Sequence, residues 1–552
     1  MKYSGAEITI KLLERHGIEI IAGIPGGSNL PLYNALYKSS IRHILSRHEQ
    51  GAGFIAQGIA RSTGKTAVCF ATSGPGATNL ITAIADAKLD SVPVIAITGQ
   101  VPLSMIGTDA FQEVDTFGIT LPITKHNYIV RSAEELMTII PDAFRIAGSG
   151  RPGPVVIDIP KNVQLEELDV TGWPEVENTK IYFKIDDREI REASDMICFS
   201  KKPILYIGGG VINSNAHALI KELAEKNSIP IASTLMGLGA IPTENPLYLG
   251  MLGMHGFHYT NHIMEEADLI LAFGVRFDDR ATGDVKNFCR HAGIIHIDID
   301  HAEIDKIKKS SLAINGDIGD VLKRILPFIQ YNDRKEWVSH IAEMKLKYPL
   351  KFPRGLWHPI SVIREINRIA GEDSIFTTDV GQHQMWAAQA LQLNRPRALL
   401  TSGGLGTMGF GLPAAIGAAL ANPAKNVICL SGDGSIMMNI QELATLAELN
   451  LNVKVIVMNN GHLGLVRQQQ ELFYGKNYIA SRFERNPDLK TIASGFGLKS
   501  YHLEYGSSLA PLANILSADG PAFINIEINP EENIFPMVPP GKANYEMIGE
   551  YI

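Results

Sequence analysis

Residues 426–460 constrain the fold more than any other stretch. Residues 426–431, Asn-Val-Ile-Cys-Leu-Ser, form a short apolar run ending on a glycine. That is the pattern of a buried parallel strand delivering a tight turn at its carboxyl end. Residues 452–458 are a second such run, and 438–449 between them carry helical apolar spacing. Strand, loop, helix and parallel strand close as a right-handed crossover, so both loops emerge at one sheet edge. They carry Gly432-Asp433-Gly434-Ser435 and Asn459-Asn460. Asp433 offers a carboxylate and Asn460 an amide oxygen, hard donors suited to an octahedral Mg²⁺ that keeps a water and takes diphosphate oxygens. Glycines flanking Asp433 let backbone N–H groups approach those oxygens. A Gly-Asp-Gly alone is in most proteins a plain turn; the Asn-Asn pair on this strand pattern makes it specific.

The same alternation fills the rest of the 552 residues, enough for roughly three or four domains. Strands are expected at 18–22, 66–71, 92–98 and 155–159, at 203–207, 229–233, 269–273 and 294–299, and at 374–378, 427–430, 453–458 and 522–528, with helices between. Polar, broken stretches at 164–191 and 330–358 separate the three groups. The fold class is therefore α/β, three doubly wound parallel-sheet domains at 1–165, 190–330 and 358–552. The proline-rich 536–542 reads as an irregular arm, mobile over the site.

Single residues leave alternatives open. Glu49, within Arg47-His48-Glu49-Gln50-Gly51, heads a helix whose next residues are small or apolar. It is either a helix-start glutamate favoured by the macrodipole or a poorly solvated acid held against a ligand. Gly74-Pro75-Gly76-Ala77 is an anion-binding turn or tight strand–helix packing. The loop 107–113, with Phe111 beside Gln112, is surface or a pocket wall. In the middle third, glycine-rich loops follow the strands, although the GxGxxG fingerprint does not appear. Asp298 or Asp300 there could hold a ribose or be an ordinary strand-end aspartate.

Net charge of -8 and a pI near 6.1 supply no basic field for nucleic acid or anionic lipid. Four scattered cysteines without CxxC spacing read as reduced thiols. No apolar run reaches ~18 residues and no signal-type h-region opens the chain, so a cytoplasmic protein without a membrane partner is expected.

With Gly432-Asp433-Gly434 and Asn459-Asn460 in the last third and Arg47 to Gly51 in the first, the chain resembles the pyruvate-oxidase-like group of thiamine-diphosphate enzymes. Within that group, residues 72–79, 107–113, 276–280, 379–386 and 406–411 are similar to the catalytic large subunit of acetohydroxyacid synthases, and the likeness runs over nearly the whole chain. The resemblance implies a transferase of branched-chain amino-acid biosynthesis (valine, leucine and isoleucine). It would decarboxylate pyruvate and join the two-carbon unit to a second pyruvate, giving 2-acetolactate, or to 2-oxobutyrate, giving 2-aceto-2-hydroxybutyrate. Thiamine diphosphate, Mg²⁺ and a structural FAD are the implied cofactors. A homodimer or homotetramer is implied, with a small regulatory subunit as a further partner, and with Glu49 of one subunit facing the diphosphate site of the other.

Site residues carry over in the same way. Glu49 would activate the aminopyrimidine ring by sharing its proton with a ring nitrogen, and Met408 would support the bent cofactor. Gly26, Pro75 and Asn79 join them from the first domain. Gln382, His383, Gly406, Gly432, Gly434, Ser435, Gly464 and Leu465 join from the last. The metal would take Asp433, Asn460 and the carbonyl of His462. Phe111, Gln112 and Lys161 would line the entry of the second 2-oxo acid. Arg280, with Met254 nearby, would face its carboxylate as a planar fork. Gly208, Gly209, Thr234, Leu235, Met236, Arg276, Asp298 and Asp317 would contact FAD. One position departs from the family: where a tryptophan usually follows Gln468, this chain has Gln469. Losing that flat apolar surface removes contact able to sense one methylene, a discrimination worth ~1–3 kcal/mol. Little preference for 2-oxobutyrate is expected. A flavin oxidase of the same architecture, a flavin-free catabolic synthase, glyoxylate carboligase and a non-catalytic assembly partner are the competing readings.

Overall fold

The computed structural model describes residues 1–176, 183–349, 351–353 and 355–550. The parts of the two expected linkers at 177–182, 350 and 354, and the terminal 551–552, lie outside the described residues.

Three six-stranded parallel sheets are built from the apolar runs. The first runs from edge to edge as Arg42–Leu45, Ile20–Gly23, Ala67–Ala71, Val94–Gln100, Val155–Pro160 and His126–Ile129. The third runs Leu399–Leu400, Ile375–Thr378, Val427–Gly432, Val453–Asn459, Ala522–Glu527 and Lys499–Leu503, the same order. The middle sheet runs Tyr248–Met251, Ile231–Ser233, Pro203–Ile207, Leu269–Phe273, Gly293–Asp298 and Leu312–Asn315. With strands counted along the chain, the outer two sheets read 2-1-3-4-6-5 and the middle one 3-2-1-4-5-6, the dinucleotide-domain order. In each sheet the order reverses beside the first strand, and there the carboxyl-end loops part to leave a crevice.

The first and third units are pressed together by a helix pair, Glu49–Thr63 on Gly411–Ala421. A β-carbon at Gly58 would overlap the Ala414 carbonyl, and one at Gly417 the Ile55 carbonyl, so glycine alone admits this approach. Phe54 meets Phe410 edge to face at 5.4 Å. Beside them Arg61 donates to Asp86 at 3.0 Å and Asp90 at 2.8 Å, while Asp90 accepts from the backbone of Gly403 and Gly404. A buried ion cluster therefore fixes the loop that leads to Met408.

Two expectations are corrected. The helix expected over 438–449 covers only Glu442–Leu449, and the turn expected after Gly432 itself winds into a short helix, Asp433–Ile436. The proline-rich end is irregular but not a loose arm. Met537 and Val538 are buried, and the Val538 N–H donates to the Met254 carbonyl at 2.8 Å. Among the described residues no helix is long and apolar enough to cross a membrane.

Candidate active site

The crossover brings Asp433 and Asn460 together as the sequence requires. Val427–Gly432 pairs in parallel with Val453–Asn459, placing Gly432 opposite Met458, so both loops leave adjacent strand ends. Asp433 is 2% exposed, and burial pushes its carboxyl up to about 6. The Asn460 side chain is held on both sides: Nδ2 donates to Gln382 Oε1 at 3.0 Å, and Oδ1 accepts the His462 N–H at 3.0 Å. A β-carbon at Gly464 would overlap Gln382 Oε1, so the Gln382–Asn460 bond needs glycine there. Asn486 supplies what the sequence did not reveal. Its Nδ2 donates to Asp433 Oδ2 at 2.7 Å and to Asn459 Oδ1 at 2.8 Å, tying the two loops together. Only the Asn-Pro turn signal at 486–487 marked that residue, and it says nothing about long-range partners.

The residues fit a metal and a diphosphate. No three His, Cys, Asp or Glu side chains cluster among the described residues, so a cation here would rest on one carboxylate plus amide and carbonyl oxygens, a hard set. His383 is buried with Nε2 unpartnered, and burial takes its imidazole down to about 3, leaving it neutral. A β-carbon at Gly432 would meet its Nδ1 at 2.9 Å, so the glycine keeps that face open. Ser435 Oγ donates to the Val380 carbonyl at 2.6 Å. Buried Asp379 pins the neighbouring loop, accepting from Gly409 N–H at 2.7 Å and Ser431 Oγ at 2.9 Å.

A cavity of about 860 Å³ touches Val380, beside Asp379, and Leu465, in the helix Gly464–Phe473, and extends over the middle sheet. Gly209, Thr234, Leu235, Met236, Arg276, Asp298 and Asp317 line it, and Gly208 sits at the same turn, where a β-carbon would overlap the Gly274 carbonyl. The volume and the glycine-lined strand ends suit a dinucleotide. Asp298 is buried, with its carboxyl raised to about 6, whereas Asp300 binds Arg151 at 3.2 Å. Asp298 is thus the better ribose candidate of the two. Asp317 caps its own helix through the Asp320 N–H at 3.0 Å. Gly406, Met254, Arg280 and Gln469 line the same cavity. Arg280 Nη1 lies 3.5 Å from Met254 Sδ, and among the described residues its guanidinium has a single, loose ion pair, 3.7 Å to Asp279.

The first domain builds a separate cup at its own switch point. Glu49 is 8% exposed and its Oε2 accepts Asn79 Nδ2 at 2.9 Å. Gly26 lies against Thr72, whose Oγ1 is buried and unpartnered, and Ser73 Oγ meets Ser28 Oγ at 2.8 Å. Pro75 opens the short helix that carries Asn79. Phe111 is 88% exposed, Gln112 holds a left-handed φ of 60° against Gly74, and Lys161 follows the strand Val155–Pro160. None of Glu49, Phe111, Gln112 or Lys161 lines the large cavity, and no hydrogen bond or ion pair among the described residues joins this cup to Asp433 or Arg280.

Three thiamine pyrophosphate enzyme descriptions match the chain: the N-terminal TPP binding domain over 3–119, the central domain over 190–325 and the C-terminal TPP binding domain over 379–526. The chain is 56% identical to the acetolactate synthase isozyme 1 large subunit of Escherichia coli (strain K12), covering 100% of this chain and 98% of that protein. It is 45% identical to the isozyme 2 large subunit of the same organism, over 99% of each. The acetolactate synthase large subunit of Cyanidium caldarium is 46% identical over 99% of this chain and 97% of its own length.

Proposed function

The chain belongs to the acetolactate synthase large subunits of the thiamine-diphosphate enzymes, and from that membership we propose how its own residues divide the work. The enzyme makes 2-acetolactate from pyruvate for branched-chain amino-acid biosynthesis. Thiamine diphosphate, when bound, supplies the electron sink that lets pyruvate lose CO₂. Asp433, Asn460 and the His462 carbonyl would hold the Mg²⁺ that neutralises the diphosphate charge, with Asn486 fixing the Asp433 side chain and Gln382 that of Asn460. Glu49, steadied by Asn79, holds and returns the proton of the aminopyrimidine ring. Arg280 takes the carboxylate of the acceptor 2-oxo acid, and Met254 and Gln469 form the wall beside it. Phe111, Gln112 and Lys161 close the entry and keep water from the reacting carbon. Gly209, Thr234, Leu235, Met236, Arg276, Asp298 and Asp317 would hold FAD as a structural group in their part of the large cavity. The three units act at 1–165, 190–330 and 358–552, in the cytoplasm, and a small regulatory subunit is a further partner.

The observation carrying this reading is that Arg280, Met254 and Gln469, from two domains, line one cavity that also touches Leu465, next to Gly464, and Val380, whose carbonyl accepts the Ser435 hydroxyl. The first test is product analysis with pyruvate, thiamine diphosphate, Mg²⁺ and FAD while oxygen uptake is followed. Acetolactate without oxygen uptake is expected, and peroxide or acetaldehyde as the main product would overturn the carboligase. In competition between acceptors, the enzyme is expected to favour 2-oxobutyrate little over pyruvate, and Gln469→Trp to shift the product ratio toward 2-aceto-2-hydroxybutyrate by roughly tenfold. A strong 2-oxobutyrate preference in the unaltered enzyme would remove the role given to Gln469.

A further inference from the structure

Glu442 is fully buried in the last domain, yet its carboxylate serves the first. Oε1 accepts the backbone N–H of Arg47 at 2.9 Å and of His48 at 3.0 Å, the two residues before Glu49. Oε2 accepts Thr445 Oγ1 at 2.7 Å, which fixes the carboxylate plane. A β-carbon at Gly51 would overlap Oε1, so the first turn of the Glu49 helix is shaped to admit this side chain. Two neighbouring contacts act in the same place. Asn439 Nδ2 donates to Gln50 Oε1 at 3.0 Å, and the Arg47 guanidinium pairs with Glu448. A buried carboxylate is costly unless its oxygens are bonded, and here they are spent on two backbone donors at a helix start.

We propose that Glu442 is a positioning residue for Glu49: it fixes the backbone at 47–48 and so aims the Glu49 carboxyl. This rests on the role given to Glu49 above. The alternative, a helix cap that only adds stability, makes a different forecast, because a cap changes unfolding and leaves turnover alone.

The test uses the full chain with its cofactors. Glu442→Ala is expected to lower kcat by about tenfold or more, with KM for pyruvate little changed, since a misplacement of ~1 Å can cost ~100-fold. Glu442→Gln, whose amide oxygen can still accept both N–H groups, should restore most of the loss. In a Glu49→Gln background, Glu442→Ala should cost little further, because residues acting as one unit are not additive. Hydrogen exchange followed by mass spectrometry should show faster exchange at 47–50 in Glu442→Ala, independently of turnover. If the alanine variant does not accumulate folded, Glu442→Asp, which keeps the charge but withdraws the oxygens, takes its place. An unchanged kcat, an equal loss in the Glu49→Gln background, or unaltered exchange at 47–50 would overturn the proposal. Undiminished kcat in Glu49→Gln alone would overturn the Glu49 assignment and this one with it, whereas an undiminished Glu442→Ala overturns only this one.

Discussion

Asp158 shows how one buried carboxyl sets the pH response of a whole wall of the first domain. It lies in the strand Val155–Pro160, accepting Thr98 Oγ1 at 2.6 Å and Gln100 Nε2 at 2.9 Å, and Gln100 Nε2 also reaches the Val114 carbonyl at 3.0 Å. The chain from Asp158 thereby anchors the loop bearing Phe111 and Gln112. Burial pushes the Asp158 carboxyl up to about 7. The folded chain therefore keeps a proton that the unfolded chain releases near pH 4. That contribution to stability is complete below about pH 4 and is lost as pH rises through about 7, an effect on the order of 4 kcal/mol. Thermal unfolding from pH 5 to pH 8 should fall more steeply for the unaltered enzyme than for Asp158→Asn, which has no proton to lose. Parallel curves would mean that this carboxyl does not titrate there. The sequence marked Glu49, Asp433 and Asn460 because glycines or a paired motif flank them. Asp158, Glu442 and Asn486 carry no such local mark, since their partners come from distant parts of the chain.

Between elements, the contact to perturb is that of the helix Glu49–Thr63 with Gly411–Ala421. Each helix presents a glycine to a carbonyl of the other, so Gly417→Ala must push the Ile55 carbonyl away. Overpacking of this kind costs about 1–3 kcal/mol, and the denaturant midpoint should drop accordingly. Activity should fall with it, because Glu49 stands at the head of the displaced helix. An unchanged midpoint would show that the helices separate freely. How far the elements were legible follows from burial. All four interior strands of each sheet stand where the apolar runs placed them, within a residue or two. Strands covered by helices on both faces read as continuous apolar runs. The edge strands escaped. His126–Ile129 and Lys499–Leu503 mix polar side chains into short runs, Tyr248–Met251 contains a glycine, and Leu399–Leu400 has only two residues. Arg42–Leu45 and Leu312–Asn315 are only four residues each.

For the whole molecule, Glu49 does not line the large cavity, and no hydrogen bond or ion pair among the described residues joins it to Asp433. Exposed apolar side chains flank both: Leu30 and Phe111 by the first cup, Met437 and Met438 just past the Asp433 turn. Exposed apolar side chains grouped in this way are what an interface between two copies would cover. A second copy of the chain, related by a two-fold axis, would cover both patches at once and complete two centres. Each centre would take Glu49, Phe111, Gln112 and Lys161 from one chain and Asp433, Arg280 and Gln469 from the other. This arrangement has a test that no single-chain site can pass. Glu49→Ala and Asp433→Ala should each be nearly inactive alone. In a mixed dimer, one centre collects both defects and the other collects neither. If the two variants are unfolded together and refolded as an equal mixture, random pairing makes about half the dimers mixed, each with one working centre of two, so about a quarter of full activity should return. Restoration should appear only after subunits exchange, and should be absent when the separately folded variants are simply combined. No recovery after exchange would place Glu49 and Asp433 in the same centre of one chain, and the two half-sites would then have to close on each other by domain movement.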